Sequence, residues 1–291
     1  MKKISLTVIL LLGMLSSSWA QNTEATYDAF HITLGLNGGI DGFTMDNGKD
    51  GKFNFGPTFG FDFGFYVFPT EHIGIRSGFN VNYAASNYSY DNLKETREIL
   101  ESPYHIDYAC ISKNTKVEIS SINLQIPLQL ALLWDHWYAD LGFKLMVPVT
   151  FDAQTSFDEA VVDATIRETG THLDPNSTDA FAAALARKFG CGTYGSNAEK
   201  KKLDLKSNWS LLASVDFGYR FSSSSSTTWT IGVYADYALT SINVKNNFLD
   251  ITSHSDHTKT VKLQSLPINN LGFFDAGIKI RCDFGFTKMS K

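Results

Sequence analysis

Strict alternation of apolar and polar residues constrains this chain more than any other feature. Over 274–286, Phe274, Ala276, Ile278, Ile280, Cys282, Phe284 and Phe286 alternate with Asp275, Gly277, Lys279, Arg281, Asp283 and Gly285. A period of two sends the two sets to opposite faces of a β-strand. A soluble sandwich would turn the apolar set inward. Here the polar set carries alternating opposite charges and the run ends in aromatics. That fits a strand with lipid on one side and an ion-paired lumen on the other. Residues 58–68 repeat the pattern, with Phe59, Phe61, Phe63, Phe65 and Val67 against Gly60, Asp62, Gly64 and Tyr66.

Six further segments alternate in the same way, at 30–40, 73–83, 121–132, 137–149, 209–221 and 228–239, which makes eight strands. The connections between them alternate long and short. The short ones are Pro69-Thr70-Glu71-His72, the Trp134-Asp135-His136-Trp137 turn and the serine run at 222–226. Bacterial outer-membrane barrels have this asymmetry, whereas a sandwich has no reason to keep it. The expected fold is all-β: an eight-stranded antiparallel up-and-down transmembrane β-barrel with long extracellular loops and short periplasmic turns. It fills residues 21–291 as one domain. Pro127, in mid-strand, predicts a gap in the ladder or a bulge. Three long stretches, 41–54, 84–118 and 240–270, read as polar loops, the second with a helix at 91–100. In the connection at 150–208, Asp174-Pro175-Asn176-Ser177-Thr178-Asp179 leads into a helix at 180–189 that Gly190 stops. Phe181, Leu185 and Phe189 share one face of that helix and either cover the barrel mouth or hold the loop together.

Residues 1–20 read as a cleaved secretory signal. Lys2 and Lys3 precede an apolar run at 4–15, and Ser18-Trp19-Ala20 places the cut between Ala20 and Gln21. That run is too short to span a bilayer as a helix, and no later run is long enough. Membrane residence therefore requires a closed barrel, which satisfies every backbone group internally. Of 25 basic residues the signal removes two, leaving 23 against 30 acidic, a net charge of −7 that argues against a nucleic-acid partner. Three cysteines are present, Cys110, Cys191 and Cys282. Cys282 falls on the apolar face. Cys110 and Cys191 fall in two outer loops, where a disulfide and two free thiols are both open options.

By strand parity the lumen receives Asp62, Asp140, Asp216, Asp236, Asp275 and Asp283 against Arg76, Lys144, Arg220, Lys279 and Arg281, with Tyr66, Tyr138 and Tyr234 among them. An eight-stranded barrel is about wide enough for its side chains to fill. Near-balance of charge then predicts a plug of paired groups, because unpaired buried charge is too costly. A narrow solute pore is the alternative. For an enzyme, His254-Ser255-Asp256-His257 resembles a nucleophile or metal cluster, but no second ligand-rich segment accompanies it. No catalytic residue, metal site or cofactor is expected.

The segments Leu124-Gln125-Ile126-Pro127-Leu128-Gln129-Leu130, Tyr138-Ala139-Asp140-Leu141-Gly142-Phe143-Lys144, Val147-Pro148-Val149, Leu203-Asp204-Leu205-Lys206 and Ile278-Lys279-Ile280-Arg281 resemble the outer-membrane β-barrel domain family. This family lies within the OmpA-like and porin-type superfamily of small barrels. The resemblance implies residence in the outer membrane of a Gram-negative cell with lipid as partner. It specifies architecture rather than activity. The expected role is structural and interactive, through extracellular loops that meet a host, phage, glycan or membrane component. Solute passage, or catalysis on lipid or peptide, are the alternatives.

Overall fold

The computed structural model describes residues 26–45, 51–101, 103–202, 209–222, 227–244, 248–255, 259–267 and 270–290. The signal segment and its Ala20–Gln21 junction lie outside these residues. So do 256–258 of the histidine-containing loop and the 203–206 motif. Eight strands form the wall: β1 (Thr26–Met45), β2 (Gly56–Val67), β3 (Ile73–Glu101), β4 (Tyr104–Trp134), β5 (Trp137–Phe157), β6 (Ser210–Ser222), β7 (Thr227–Ala238) and β8 (Asn270–Ser290). Each pairs antiparallel with the next. β8 returns to β1 with Leu36 opposite Ile280, so the pairings make a ring. A ring leaves no open sheet edge at this level. At its turn end, β4 and β5 meet through two residues, with Asp135 at φ 47, the left-handed conformation a tight hairpin requires.

The strands run well past the alternating segments, and their polarity reverses as they do. Near the turn end the inner face of β4 carries Asn123, Gln125 and Gln129, while Ile122, Ile126, Leu128 and Leu130 face out and are exposed. Further along the same strand Ile106, Tyr108, Cys110, Val117 and Ile119 are buried, with Lys113 and Glu118 outside. β3 does likewise. Arg76, Asn80 and Asn82 lie inside one stretch, and Tyr88, Tyr90 and Leu93 are buried in the next. On β5 a register shift opposite Ile122/Asn123 swaps the two faces, so that Phe151, Ala153 and Phe157 turn in. The chain is thus one continuous wall with two interiors: a polar one at the turn end and an apolar one at the head end.

The head corrects several expectations. Residues 84–118 are not a loop with a helix at 91–100. They continue β3 and β4 as one hairpin whose pairing runs to Glu101 and Tyr104. The alternation does persist there, but its apolar set has moved to the other face and is diluted by Lys, Glu and Asn. β1 likewise runs to Met45 inside the stretch read as a loop, and Lys52–Asn54 adds to β3. The 150–208 connection builds a small sheet: Glu159–Ile166 pairs with β4, Thr171–His172 and Gly192–Tyr194 pair with it, and Asn197–Lys202 pairs with β5. In 240–270, Ile242–Asn243 pairs with β8, and Phe248–Ser255 forms a hairpin with Lys259–Pro267.

Helix α1 (Ala180–Phe189) spans the range its end signals predict. Asp179 Oδ1 accepts from the Phe181 and Ala182 amides, and Gly190 closes it at φ 66. Its buried face is Ala182, Ala183, Leu185 and Ala186. Phe181 is exposed and rests on Tyr104 rather than sharing that face. At Pro127 the β3–β4 ladder has a gap without a change of register: Ser77 pairs with Leu128, Asn80 with Gln125, and the two pairs between are missing. The Ser77 hydroxyl donates to the Pro127 carbonyl at 3.0 Å, keeping that acceptor satisfied.

Candidate functional site

Charges fill the lower lumen, set there by the even spacing of inward positions on every strand. Arg76 on β3 is the hub. It donates to Asp62, to Gln129 Oε1 at 2.6 Å and to Asp216 Oδ2 at 3.2 Å. Lys279 Nζ reaches the same Asp216 oxygen at 2.8 Å. Arg281 donates to Asp140 Oδ2 at 2.9 Å, which also accepts from the Tyr66 hydroxyl at 2.7 Å. Lys144 pairs with Asp236 at 2.7 Å. All these side chains are buried. The aromatic rings complete the packing. Arg281 lies 4.4 Å from the centre of Tyr138, and Gly218 and Gly232 leave room for that ring, since a Cβ on Gly232 would stand 2.3 Å from its hydroxyl.

Arg220 and Asp283 lie beside Asp140 and Arg281 on the turn-end side of this cluster. They line a cleft at the turn end with His31, Tyr66, Phe68 and Tyr138, whose free space is ≈ 10 Å³, about one water molecule. Above the cluster lies a row that strand parity predicts only in part. Asp236, Asp275 and Asp41 are direct partners across β7, β8 and β1. Asp41, which the turn formers at 41–54 place in a loop, is fully buried on β1. It takes the Ala85 amide on Oδ2 at 3.0 Å, and its Oδ1 has no hydrogen-bond partner among the described residues. Asp275 accepts from the Tyr234 hydroxyl at 2.9 Å and from Asn82 at 3.3 Å. Among the described residues, Asp236 alone of the three forms an ion pair with a base.

Directly over that row the lumen turns apolar. Phe43, Phe151 and Phe273 pack with ring centres 5.0–5.1 Å apart, and Met146, Leu212, Ile119, Leu271 and Ile242 are buried in the same cluster. Among the described residues, charges fill the lumen below and a buried aromatic layer lies above them. This layer was not legible in advance, because Phe43, Phe151 and Leu271 fall outside the alternating segments.

The cysteines do not form a bridge. All three are free, and Cys110 and Cys191 are buried in the head. Cys110 pairs with Val162, and Gly192, next to Cys191, pairs with Val162 from its other side. Two strand spacings, roughly 10 Å, exceed what a disulfide spans. Burial pushes both thiols up, Cys110 to about 12 and Cys191 to about 11, so neither is a nucleophile at neutral pH. Among the described residues no group of three or more His, Cys, Asp or Glu is placed to hold a metal ion.

No protein-family model and no curated protein matches the chain. Among solved structures it is similar to Neisserial surface protein A, at 9% identity and TM-score 0.30, covering 90% of this chain and 100% of that one. It is similar to the attachment invasion locus protein Ail of Yersinia pestis at 9% and 0.26, covering 86% and 97%. It is also similar to the outer membrane protein AlkL, solved in DMPC lipid bilayers, at 11% and 0.32, covering 93% and 97%. Overlaps this loose carry no weight for role or location.

Proposed function

We propose that this chain is an outer-membrane β-barrel protein of the small, OmpA-like kind, delivered by its signal segment. Lipid is the partner of its outer belt, its lumen is closed to solutes, and its β-structured head acts by surface interaction rather than catalysis. The observation that carries the reading is the reversal of polarity along single strands. Large apolar side chains stand exposed on all eight strands at the turn-end level, among them Leu36, Phe61, Ile75, Leu128, Phe143, Phe217, Val233 and Ile278. More than twenty such side chains leave on the order of 2,000 Å² of apolar surface uncovered, about 50 kcal/mol of forgone burial at ~25 cal/mol per Å². A domain stable by about 5–15 kcal/mol does not carry that in water. The belt spans nine to eleven residues per strand on β2, β3 and β4, the length a tilted strand needs to cross hydrocarbon. Aromatics mark its turn-end rim, where Trp137 stacks on Phe217 at 5.3 Å. Above the belt the same strands turn charged residues out and bury a core, as water demands.

The test is reconstitution into bilayers containing brominated lipid. Trp137 and Trp229, exposed in the belt, should be quenched, and planar bilayers should show no conductance steps. Protein that stays monomeric in buffer without detergent would overturn the membrane reading, and discrete channels would overturn the closed lumen.

A further inference from the structure

The lumen holds more acid than base. Among the described residues seven aspartates are buried there against four arginines and lysines, with Arg220 half-buried at the turn end. Asp62, Asp140, Asp216 and Asp236 are ion-paired, and Asp283 shares its cleft with Arg220 and Arg281. The two left over are Asp41 and Asp275, cross-strand partners on β1 and β8.

Hydrogen bonding treats these two differently. Donors converge on Asp275: the Tyr234 hydroxyl reaches one oxygen at 2.9 Å and Asn82 Nδ2 the other at 3.3 Å. Behind Tyr234, Asn80 donates to Asn37 at 3.0 Å and Asn37 to the Tyr234 hydroxyl at 3.4 Å, so this chain also ends on Asp275. Asp41 has the Ala85 amide on Oδ2, and nothing described donates to its Oδ1. Asn80 Oδ1, Asn82 Oδ1 and Asp236 Oδ1 are buried and lack a donor as well. All of these are acceptors, so what the level lacks is a hydrogen. A carboxylate at Asp41 bears the cost of an unpaired buried charge, whereas a carboxylic acid avoids it and supplies a donor.

We propose that Asp41 is a carboxylic acid in the folded protein, its proton on Oδ1, and that Asp41 and Asp275 form a proton-binding pair beneath the aromatic layer. Asp275 is the charged member. Two donors hold it, and Lys144 on β5 and Lys279 on β8 stand 5.6 and 5.2 Å from the centre of the Tyr234 ring. These lysines are themselves held by Asp236 on β7 and Asp216 on β6, at 2.7 and 2.8 Å. β3 adds Tyr88, whose hydroxyl takes the Met45 amide at 2.6 Å. β2 and β4 bring only uncharged residues to this level, Gly56 and Thr58 on one and Ser121 and Asn123 on the other. The proposal concerns the lumen alone and stands whether or not the belt lies in lipid.

Folding then takes up a proton, since Asp41 ionises at about pH 4 in the unfolded chain. Stability held through this group therefore falls as pH rises, about tenfold in the folding constant per pH unit for one proton. Full-length protein in detergent micelles is the material for the test, read by infrared spectroscopy and urea denaturation. At neutral pH the wild type should show a protonated carboxyl stretch that Asp41→Asn lacks. Above about pH 5 its folding constant should fall relative to that of Asp41→Asn by about tenfold per unit. Asp275→Asn should keep the stretch but lose it at lower pH than the wild type, because the neighbouring charge that favours the acid is gone. Wild-type and Asp275→Asn titrations decide the matter even where Asp41→Asn does not fold. No protonated carboxyl at neutral pH, a stretch retained in Asp41→Asn, or equal titrations with and without Asp275 would overturn the proposal. So would stability that follows added sodium or calcium and ignores pH, which would put a cation in the proton's place.

Discussion

Arg76 has no exposed surface, yet it carries a full charge on a wall of eight strands. Its three acceptors Asp62, Gln129 and Asp216 come from β2, β4 and β6, so one guanidinium ties three strands together across the lumen. The fork geometry of Arg suits this and a lysine would not replace it. Breaking a buried pair leaves its partner uncompensated, which costs about 3–5 kcal/mol. Asp216→Asn and Arg76→Ala should each lower unfolding stability by that order, measured by urea denaturation in micelles. Asp41→Asn should be neutral or stabilising. It removes one of two adjacent carboxylates, Asp41 and Asp275, and leaves intact the oxygen that caps the Ala85 amide. Opposite signs for these aspartates would show that pairing, not burial alone, decides their worth.

At the level of elements, the far β3–β4 hairpin extends the wall and carries the Glu159–Ile166 strand beside it. Its outer surface is held by a charged clamp. Arg167 donates to Asp107 and, at 2.8 Å, to Glu98, while His105 Nδ1 lies 2.5 Å from Glu168. The hydrogen bond from Arg167 holds the Asp107 carboxyl below the ordinary range, and that from His105 does the same for Glu168. A depressed carboxylate contributes stability that is present above its unfolded pKa and lost as pH falls through the folded one. Acidification below about pH 4 should therefore loosen the hairpin tip before the lumen. Amide exchange should rise first at 98–108 and 163–168. The clamp's side chains are about half exposed, so the loss is local and weakened by salt.

The molecule as a whole is organised by where its strands change sides. Eight alternating segments and the long-short order of their connections determined the ring, its strand order and the inward charges, because a period of two has one geometric meaning whatever surrounds it. Caps did the same for helix α1, since Asp179 and Gly190 act through their own neighbours. The sequence could not by itself place Asp41, Phe43 or Phe151, which sit where turn-forming or mixed residues hide a continuing strand. It also took the 91–100 stretch for a helix, because Leu93, Ile99 and the charges around them suit either period when read without a partner. Tertiary pairing decided these points. Backbone groups of 84–118 are satisfied by a hairpin whose apolar side finds α1 and the Glu159–Ile166 sheet to bury against, and that partner lies some sixty to ninety residues away. Tertiary pairing also kept Cys110 and Cys191 a full strand apart. Local pattern fixes which face a side chain takes; what that face meets, lipid, salt bridge or dry core, depends on chain that is distant in sequence, and the structure alone brings it near.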